Sequence, residues 1–305
     1  MNLEEKRKKF LEFLEKKAPE KLIKSFEENT GPGFIKKILR LIKTPSLYIP
    51  LILQSKIPWF LFGSNKKKSK FFGSREIILP LNDLSPASIS IFGFIPFVDD
   101  IKLTKFLIKN LKEDDIFYDI GANYGFYTYL ALEFCKEVHS FEPLPEVFKY
   151  LYRNLKNEPK AVLNNIALSD STGNVLMYIN KISTAGSTII KEIFQNNYKN
   201  FSKEIMVSTT TLDDYIKSHN KPTILKIDVE GAESKIIDGG LKFFINNSPV
   251  IIMEVWNDDK RGISLKAVEK LIKLGFKIYG IDYNGEIFYI EDMNYTSELN
   301  IVFKK

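Results

Sequence analysis

The strongest constraint on the fold is the alternation of short apolar segments with amphipathic segments from residue 76 to the end of the sequence. The apolar segments have the length of strands, and the segments between them carry apolar residues at helical spacing. This alternation predicts an α/β fold, a doubly wound sheet with helices on both faces. Ligands of such sheets bind at the carboxyl ends of the strands. The central predicted strands are Ile116–Ile120, Glu137–Phe141, Ala161–Leu168, Thr223–Ile227 and Val250–Val255.

Helices and shorter strands complete the pattern. The predicted helices are Asp99–Leu111, Tyr124–Phe134, Pro145–Asn157, Gly231–Asn246 and Ser264–Leu274. Short strands are predicted at Glu76–Pro80, Ser88–Phe94, Phe276–Gly280, Glu286–Ile290 and Leu299–Phe303. The roughly 50 residues between Leu168 and Thr223 are more than a connection needs. Within them a strand pair is predicted at Val175–Ile179 and Ile205–Thr209, with Ile182–Ile190 as a loop, an insertion placed to shape a substrate pocket.

Charge divides the chain into two parts. Of its 44 basic and 38 acidic residues, residues 1–75 hold 18 and 7, so a basic arm (1–75) precedes a mildly acidic body (76–305). This division argues against nucleic-acid binding across the whole protein. A single cysteine excludes a disulfide framework and a cysteine-rich zinc site, and it fits a reducing compartment. With no apolar stretch long enough to span a bilayer and no signal-peptide pattern, a cytoplasmic location is expected.

The basic arm is predicted to be helical at residues 3–28 and 34–43. An apolar stretch interrupted by prolines, Leu47–Phe62, and the lysine run 66–70 follow. Two interpretations remain open. The arm is either a helical cap that packs on the body, or an interfacial anchor whose aromatic residues and lysines contact an anionic membrane surface. A protein partner is the third alternative.

The first motif with chemical meaning is the segment from Asp119 to Gly125, Asp-Ile-Gly-Ala-Asn-Tyr-Gly. A predicted strand ends there in a glycine turn, and a helix begins. Glycine allows the backbone to approach a ligand closely, and a helix N-terminus offers free N–H groups. The segment lacks the fuller glycine pattern of a dinucleotide site and the lysine of a phosphate loop.

The second motif is Ser140-Phe141-Glu142-Pro143, at the end of the next predicted strand and 21 residues after Gly121. A carboxylate at this place can accept hydrogen bonds from both hydroxyls of a ribose. Glu142 therefore indicates a nucleoside-type cofactor, without separating a nicotinamide from a sulfonium compound.

The third motif is Lys226–Glu233, where another predicted strand runs into a helix. Its carboxylates would lie at the same edge of the sheet. Asp228 there could position or deprotonate a hydroxyl group, and the carboxylates could equally cap the helix N-terminus. Three oxygen ligands for a metal can be drawn from Asp228, Glu230 and Glu254, but no ligand spacing demands one, so no metal site is predicted.

Together these motifs resemble the FkbM family of S-adenosylmethionine-dependent methyltransferases. The resemblance covers roughly residues 115–255 and leaves 1–75 unaccounted for. It rests on six segments in order: Asp119–Gly125, Phe141–Pro143, Asn165–Asp170, Thr211–Tyr215, Lys226–Glu233 and Ile252–Glu254.

The resemblance implies a Rossmann-like class I methyltransferase fold that binds S-adenosyl-L-methionine. It places Glu142 at the ribose of the cofactor, and Asn165 and Ala167 near the adenine. Members are chiefly O-methyltransferases, so a small-molecule or glycan acceptor is expected, lipid-linked if the arm is an anchor. The residues that would line the methionine part of the cofactor are Asp119, Gly121, Asn123 and Gly125.

Methyl transfer to a hydroxyl requires alignment of the reacting atoms and a destination for the proton. The candidate catalytic residues are Asp228, Glu254 and, more weakly, His219, whereas His139 lies within a strand and is expected to be packed. Two other classes of protein remain as alternatives. One is a nucleotide-dependent oxidoreductase on a similar sheet, and the other is a non-catalytic adaptor that acts through the arm.

Overall fold

The computed structural model describes residues 1–19, 66–80, 83, 86–180, 184–191, 201–255, 263–291 and 300–305. The chain divides into two compact units. The first comprises residues 1–109 and 283–285, and the second comprises residues 110–282 and 286–305. The first unit thus extends beyond the predicted arm.

The first unit begins with helix α1 (Leu3–Lys17), closed at its start by reciprocal hydrogen bonds between Asn2 and Glu5. The predicted extension of this helix to residue 28, the second predicted helix and the apolar stretch 47–62 lie outside the described residues. The lysine run belongs to strand β1 (Lys66–Phe71), which pairs antiparallel with β2 (Arg75–Pro80).

The apolar side of helix α1 packs against other residues of the first unit. Phe10 and Leu14 are buried, and the ring of Phe10 stacks on Phe72 with ring centroids 4.7 Å apart. Phe72 itself belongs to the predicted arm, so the cap, membrane and partner interpretations of the arm all stay predictions. Among the described residues, no helix combines the length and the apolar composition needed to cross a membrane.

The strand predicted at Ser88–Phe94 is wrong. Helix α2 (Ala87–Phe92) occupies this segment, followed by α3 (Val98–Asn110). The alternation of serine and isoleucine imitates a strand, but the backbone makes helical hydrogen bonds, as from the N–H of Ser90 to the carbonyl of Pro86 at 2.9 Å. Gly93 ends the helix in the left-handed conformation, at φ 80°, and its N–H donates to the carbonyl of Ile89.

The second unit contains an eight-stranded mixed sheet flanked by helices, so the predicted α/β class is confirmed. Its strands are β3 (Ile116–Ile120), β4 (Glu137–Phe141), β5 (Ala161–Asn164), β9 (Ile224–Ile227), β10 (Val250–Glu254), β11 (Lys277–Ile281), β12 (Ile287–Tyr289) and β13 (Asn300–Lys304). The order across the sheet is β12-β11-β13-β10-β9-β3-β4-β5, and the five strands from β10 to β5 are parallel.

The order of the strands reverses at β3. From β3 the chain proceeds outward to β4 and β5, and it then returns to β9 and β10 on the other side of β3. Ligands of open α/β sheets bind outside the carboxyl ends of the strands at such a reversal. In the described part of this unit the helices are α4 (Phe126–Leu132), α5 (Pro145–Leu155), α6 (Leu212–Tyr215), α7 (Glu233–Gly239), α8 (Leu241–Asn246) and α9 (Ile263–Lys273).

The strand predicted at Ala161–Leu168 is in fact two strands in different sheets. After β5 the chain turns at Asn165. Strand β6 (Ala167–Leu168) then joins β8 (Phe201–Thr210) and β7 (Gly173–Asn180) in a three-stranded sheet of order β6-β8-β7. The turn is held by the Asn165 side-chain amide, which donates to the backbone carbonyls of Glu142 and Pro143 at 2.8 and 3.1 Å.

The predicted insertion is confirmed as a strand pair. In the three-stranded sheet, β7 (Gly173–Asn180) pairs antiparallel with β8 (Phe201–Thr210). Part of the predicted loop at 182–190 is a short 3₁₀ turn, Thr184–Gly186. The helix predicted at Gly231–Asn246 is interrupted at Gly240, where the side chain of Leu212 lies 2.8 Å from the place that a Cβ would take.

Candidate active site

Gly121 forms the turn at the carboxyl end of β3. It has φ 81°, and a Cβ added to it would lie 1.9 Å from the carbonyl oxygen of Asp228. Its N–H donates to the carbonyl of Phe141 at 3.0 Å, and the N–H of Asp228 donates to the carbonyl of Ile120 at 3.1 Å. The tips of β3, β4 and β9 therefore meet through their backbones, with Gly121 at the centre.

Glu142 follows the tip of β4 and is buried, with 6% of its surface exposed. Its two carboxylate oxygens accept hydrogen bonds of 2.8 Å from the backbone N–H groups of Asn123 and Leu144. Burial raises the pKa of this carboxyl to about 7, against the effect of the two hydrogen bonds. The Glu142 carboxylate thus joins the glycine turn to the tip of the neighbouring strand.

Two other residues of the first motif shape the turn. Asn123 has φ 50°, and its side-chain oxygen accepts a 2.8 Å hydrogen bond from the N–H of Tyr124. Gly125 precedes α4 at φ 90°, where a Cβ would lie 2.5 Å from the side chain of Leu151. Both residues adopt the left-handed backbone region, and at Gly125 the close packing of α5 leaves no room for a side chain.

Asp119 lies fully buried beneath this turn. Its Oδ2 accepts a 2.6 Å hydrogen bond from the Thr128 hydroxyl, which is 2.8 Å from the hydroxyl of Ser140. Its Oδ1 accepts no hydrogen bond from the described part of the chain. Burial raises the pKa of this carboxyl, and the nearby charge of Lys226 opposes the rise.

Lys226 and Asp228 form an ion pair at the tip of β9. The Lys226 Nζ donates to Asp228 Oδ2 at 2.9 Å and lies 4.6 Å from the centre of the Tyr127 ring. Lys226 is buried, whereas 35% of the Asp228 side chain is exposed. Burial alone would lower the pKa of Lys226, but the charges of Asp228 and Asp119 outweigh it and raise the pKa.

Asp228 also belongs to a group of three carboxylates. Asp228, Glu230 and Glu254 each place one oxygen within 4.8 Å of the others, and all three residues are half-buried. Oxygen ligands at such distances could hold a hard divalent cation. The three residues that the sequence brought into consideration as metal ligands therefore do lie together.

Burial also affects the carboxyl groups that follow Asp228. It raises the pKa of Glu230 to about 8, and the charges of Asp228 and Glu233 add to the effect. It raises the pKa of Glu233 to about 7. Glu233 Oε1 accepts hydrogen bonds from the N–H groups of Val229 and Gly231, while Oε2 has no partner among the described residues. Near neutral pH, protons can therefore be held on several groups of this edge.

The insertion reaches the same edge through Thr188. The Thr188 hydroxyl donates to the carbonyl of Glu230 at 2.7 Å and accepts from the N–H of Ile190 at 3.0 Å. Thr188 is buried and bridges to Tyr178 on β7. The segment after β7 therefore contacts the carboxyl edge of the sheet at Glu230, while its role in shaping a substrate pocket stays a prediction.

The structure brings most of the predicted site residues together, but not all. Asp119, Gly121, Asn123, Gly125, Glu142, Asp228 and Glu254 share the carboxyl edge of the sheet, and Asn165 contacts it through the carbonyl of Glu142. Ala167 begins β6 and pairs with Thr209 in the smaller sheet. The segment Trp256–Asp259, considered as a rim loop, lies outside the described residues.

His219 does not belong to this edge, which corrects its place among the catalytic candidates. Its exposed ring stacks on Tyr215, with ring centroids 4.0 Å apart. The next residue, Asn220, donates to Glu137 at the amino-terminal start of β4. His139 is buried, as predicted, and contacts the hydroxyl of Tyr215 at 2.7 Å and the carboxylate of Glu137. The two histidine rings contact each other, with centroids 5.6 Å apart, away from the carboxyl edge of the sheet.

No role was predicted from the sequence for Lys226 or Thr188, although both contact the candidate site. A lysine within an otherwise apolar strand, two residues before a conspicuous aspartate, was a signal that could have singled out Lys226. No comparable signal marks Thr188, because its contact with Glu230 spans 42 residues of sequence.

The reversal of strand order at β3, the glycine turn and the carboxylate after β4 define a Rossmann-like α/β protein with these groups at the carboxyl edge of its sheet. A family model described as "Methyltransferase FkbM domain" matches residues 119–278, which is 160 of the 305 residues. The chain belongs to this FkbM methyltransferase family.

Similar proteins include the "Hexuronic acid methyltransferase AglP" of Haloferax volcanii, 28% identical over 180 residues. The match covers 55% of this chain and 65% of that protein. Among solved structures, the methyltransferase FkbM from Methylobacillus flagellatus KT is 13% identical, with a TM-score of 0.42 over 64% of this chain and 44% of that one. Fibrillarin of Aeropyrum pernix, in complex with S-adenosyl-L-methionine, is 13% identical, with a TM-score of 0.38 over 67% of this chain and 74% of that one.

Proposed function

We propose that this protein is an S-adenosyl-L-methionine-dependent O-methyltransferase that acts on a hydroxyl group of a sugar or glycan. The observation that carries the proposal is the convergence of Gly121, Glu142 and Asp228 at the point where the strand order reverses. Open α/β sheets bind their ligands at that edge, which supports placing the cofactor and the acceptor there.

The residues present fit the cofactor. Each oxygen of the Glu142 carboxylate accepts one backbone hydrogen bond and keeps a second lone pair, so the group can also accept from the two hydroxyls of a ribose. The Oδ1 of buried Asp119, which has no hydrogen-bond partner among the described residues, offers another acceptor close to the turn. When bound, S-adenosyl-L-methionine supplies a methyl group carried on a positively charged sulfur, a charge that suits an edge rich in carboxylates.

The acceptor needs a base, and Asp228 is the candidate. A hydroxyl group loses its proton as its oxygen forms the bond to the methyl carbon and the bond from that carbon to sulfur breaks. The half-exposed carboxylate of Asp228, beside Glu254, is placed at the sheet edge to take the proton. A carboxylate acceptor would need no base and would be repelled by the negative charges of this cluster, so we propose a hydroxyl as the reacting group.

The relative named as a hexuronic acid methyltransferase supports a sugar as the class of acceptor. We propose a sugar of that kind, free, nucleotide-linked or part of a glycan. Its own carboxylate would point away from Asp228, Glu230 and Glu254, which leaves a ring hydroxyl facing them. The site then distinguishes the hydroxyl from the carboxylate of the same sugar by charge.

Cofactor binding is tested by isothermal titration of the purified full-length protein with S-adenosylhomocysteine and, separately, with NAD. We expect saturable binding of S-adenosylhomocysteine and none of NAD. Binding of NAD without S-adenosylhomocysteine would favour the oxidoreductase alternative, and binding of neither would favour the adaptor.

Acceptor choice is tested with methyl-labelled cofactor and glucuronate, galacturonate and their nucleotide-linked and glycan-linked forms. We expect label in a product that survives mild alkali, because an ether is stable where a methyl ester is hydrolysed. Asp228→Asn should lower kcat by about 100-fold or more. Asp238→Asn, which removes a carboxylate paired with Lys270 at 2.6 Å elsewhere on this unit, is the matched control and should retain activity.

A further inference from the structure

Lys226 is a buried cation in the middle of the sheet. It lies on β9 between its register partners Asp119 on β3 and Ile252 on β10. Because alternate residues of a strand share a face, Asp228 and Glu254 lie on the same face as Lys226, one step further toward the carboxyl edge. One ammonium group thus stands below several carboxylates that line the candidate site.

The ion pair of Lys226 with Asp228 is asymmetric. The ammonium group is buried against the Tyr127 ring, while the carboxylate is half-exposed at the edge. Asp228 Oδ2 accepts from Lys226 at 2.9 Å, and Asp228 Oδ1 accepts no hydrogen bond from the described residues. The lysine therefore fixes one oxygen of the aspartate and leaves the other available to a ligand.

We propose that Lys226 is a positioning residue for Asp228 and the resident cation of the carboxylate cluster. The first role rests on the proposed function: Lys226 orients the base, Asp228, toward the acceptor hydroxyl. In the second role, the ammonium group of Lys226 supplies the positive charge that a divalent metal supplies in other carboxylate sites. A purely structural role is a poor explanation, since apolar side chains fill buried positions of a strand at lower cost than a charge.

A divalent cation is the competing occupant. Asp228, Glu230 and Glu254 have oxygens within 4.8 Å of one another, as a metal requires. Lys226 already binds one of these three carboxylates and stands close to a fourth, Asp119. Bound Mn²⁺ would have to share Asp228 with the ammonium group and would be repelled by it.

The first experiment compares Lys226→Met with wild type in the full-length protein. Lys235→Met, which breaks the surface pair with Asp170, is the matched control. We expect kcat for methyl transfer to fall by about 100-fold in Lys226→Met, with little change in the affinity for S-adenosylhomocysteine. Lys226→Arg should recover part of kcat, since it restores the charge with another geometry. An unchanged kcat in Lys226→Met would overturn the proposal.

The second experiment compares Asp228→Asn with the double variant, so the conclusion does not depend on Lys226→Met alone. If Lys226 acts through Asp228, adding Lys226→Met to Asp228→Asn should cost no further activity, because interacting residues are not additive. A double variant that is much slower than Asp228→Asn would show that Lys226 acts independently, against the proposal.

The third experiment needs no acceptor. Titration with Mn²⁺, followed by its electron paramagnetic resonance signal, should show no stoichiometric binding to wild type and measurable binding to Lys226→Met, which keeps all three carboxylates. One tightly bound Mn²⁺ in wild type would overturn the resident-cation role. Failure of wild type to bind S-adenosylhomocysteine would refute the proposed function instead, and the Mn²⁺ result would still decide the role of Lys226.

Discussion

The carbonyl oxygen of Asp228 lies 1.9 Å from the point that a Cβ on Gly121 would occupy. The two residues follow neighbouring parallel strands, and the absence of a side chain on Gly121 lets the two strand tips touch through their backbones. This contact sets the distance between the glycine turn, where the cofactor is proposed to bind, and the carboxylate proposed as the base.

Replacement of Gly121 by Ala should therefore disrupt the site. The new Cβ would collide with backbone rather than with a movable side chain, at a φ of 81° that already disfavours alanine. We expect loss of measurable S-adenosylhomocysteine binding in calorimetry and a lower melting temperature. Gly275→Ala is the control, since Gly275 has φ 89° with nothing within 4 Å of its Cβ position. Equal effects of the two substitutions would mean that backbone strain alone, not the contact with Asp228, is responsible.

Glu142 should make cofactor affinity depend on pH. Its pKa is raised to about 7 by burial, so the carboxyl loses its proton as the pH rises through neutrality and then becomes a better acceptor for ribose hydroxyls. We expect S-adenosylhomocysteine to bind more tightly to wild type at pH 8 than at pH 6. Glu142→Gln should weaken binding by about tenfold or more and remove this dependence. Glu146→Gln, at an exposed position of α5, should behave as wild type, and an identical pH response in Glu142→Gln would contradict the ribose role.

Glu233 should make stability fall as the pH rises. Because its pKa in the folded state is about 7 instead of 4.5, its contribution to stability is complete below pH 4.5 and is lost as the pH rises to 7. The difference amounts to at most about 3 kcal/mol, at about 1.4 kcal/mol for each pH unit. We expect Glu233→Gln to gain free energy of unfolding relative to wild type between pH 5 and 8, measured by urea denaturation. Exposed Glu204→Gln should show no such gain, and a constant difference between Glu233→Gln and wild type across this range would refute the prediction.

Thr188 should matter through its hydroxyl group. Thr188→Val keeps the shape of the side chain but leaves the Glu230 carbonyl and the Ile190 N–H without their partner, at a cost of about 1–3 kcal/mol. Glu230 has φ 53°, so its turn depends on such support. We expect lower stability by chemical denaturation and a fall in kcat larger than the change in S-adenosylhomocysteine affinity. Thr188→Ser retains the hydroxyl and should lie near wild type, whereas a serine variant as impaired as the valine variant would assign the effect to the methyl group.

Local patterns were sufficient to predict the large sheet and its ligand edge. Buried strands such as Ile116–Ile120 carry a continuous apolar signal, and the turn residues that follow them are polar or glycine. The convergence of Gly121, Glu142 and Asp228 followed from these signals, since parallel strands end at one edge. The roles of these residues in binding and catalysis stay predictions, together with the roles proposed for Asn165 and Ala167.

The errors arose where local signals competed with contacts from distant residues. Ser88–Phe94 has a strand-like alternation, but the hydroxyls of Ser69 and Ser90 meet at 3.0 Å and the segment packs as a helix in the first unit. His219 has a catalytic side chain, yet stacking on Tyr215 fixes it near the amino-terminal ends of the strands. Neither contact leaves a pattern in the adjoining sequence.

The amino-acid sequence by itself determined the class of fold, the glycine turn and the carboxylates at the strand ends. Periodicity and turn residues act over a few positions, and they are legible without coordinates. Only the tertiary structure decided that Lys226 stands beneath those carboxylates and that Thr188 supports Glu230. Such contacts depend on strand order and register, which bring together residues far apart in the chain.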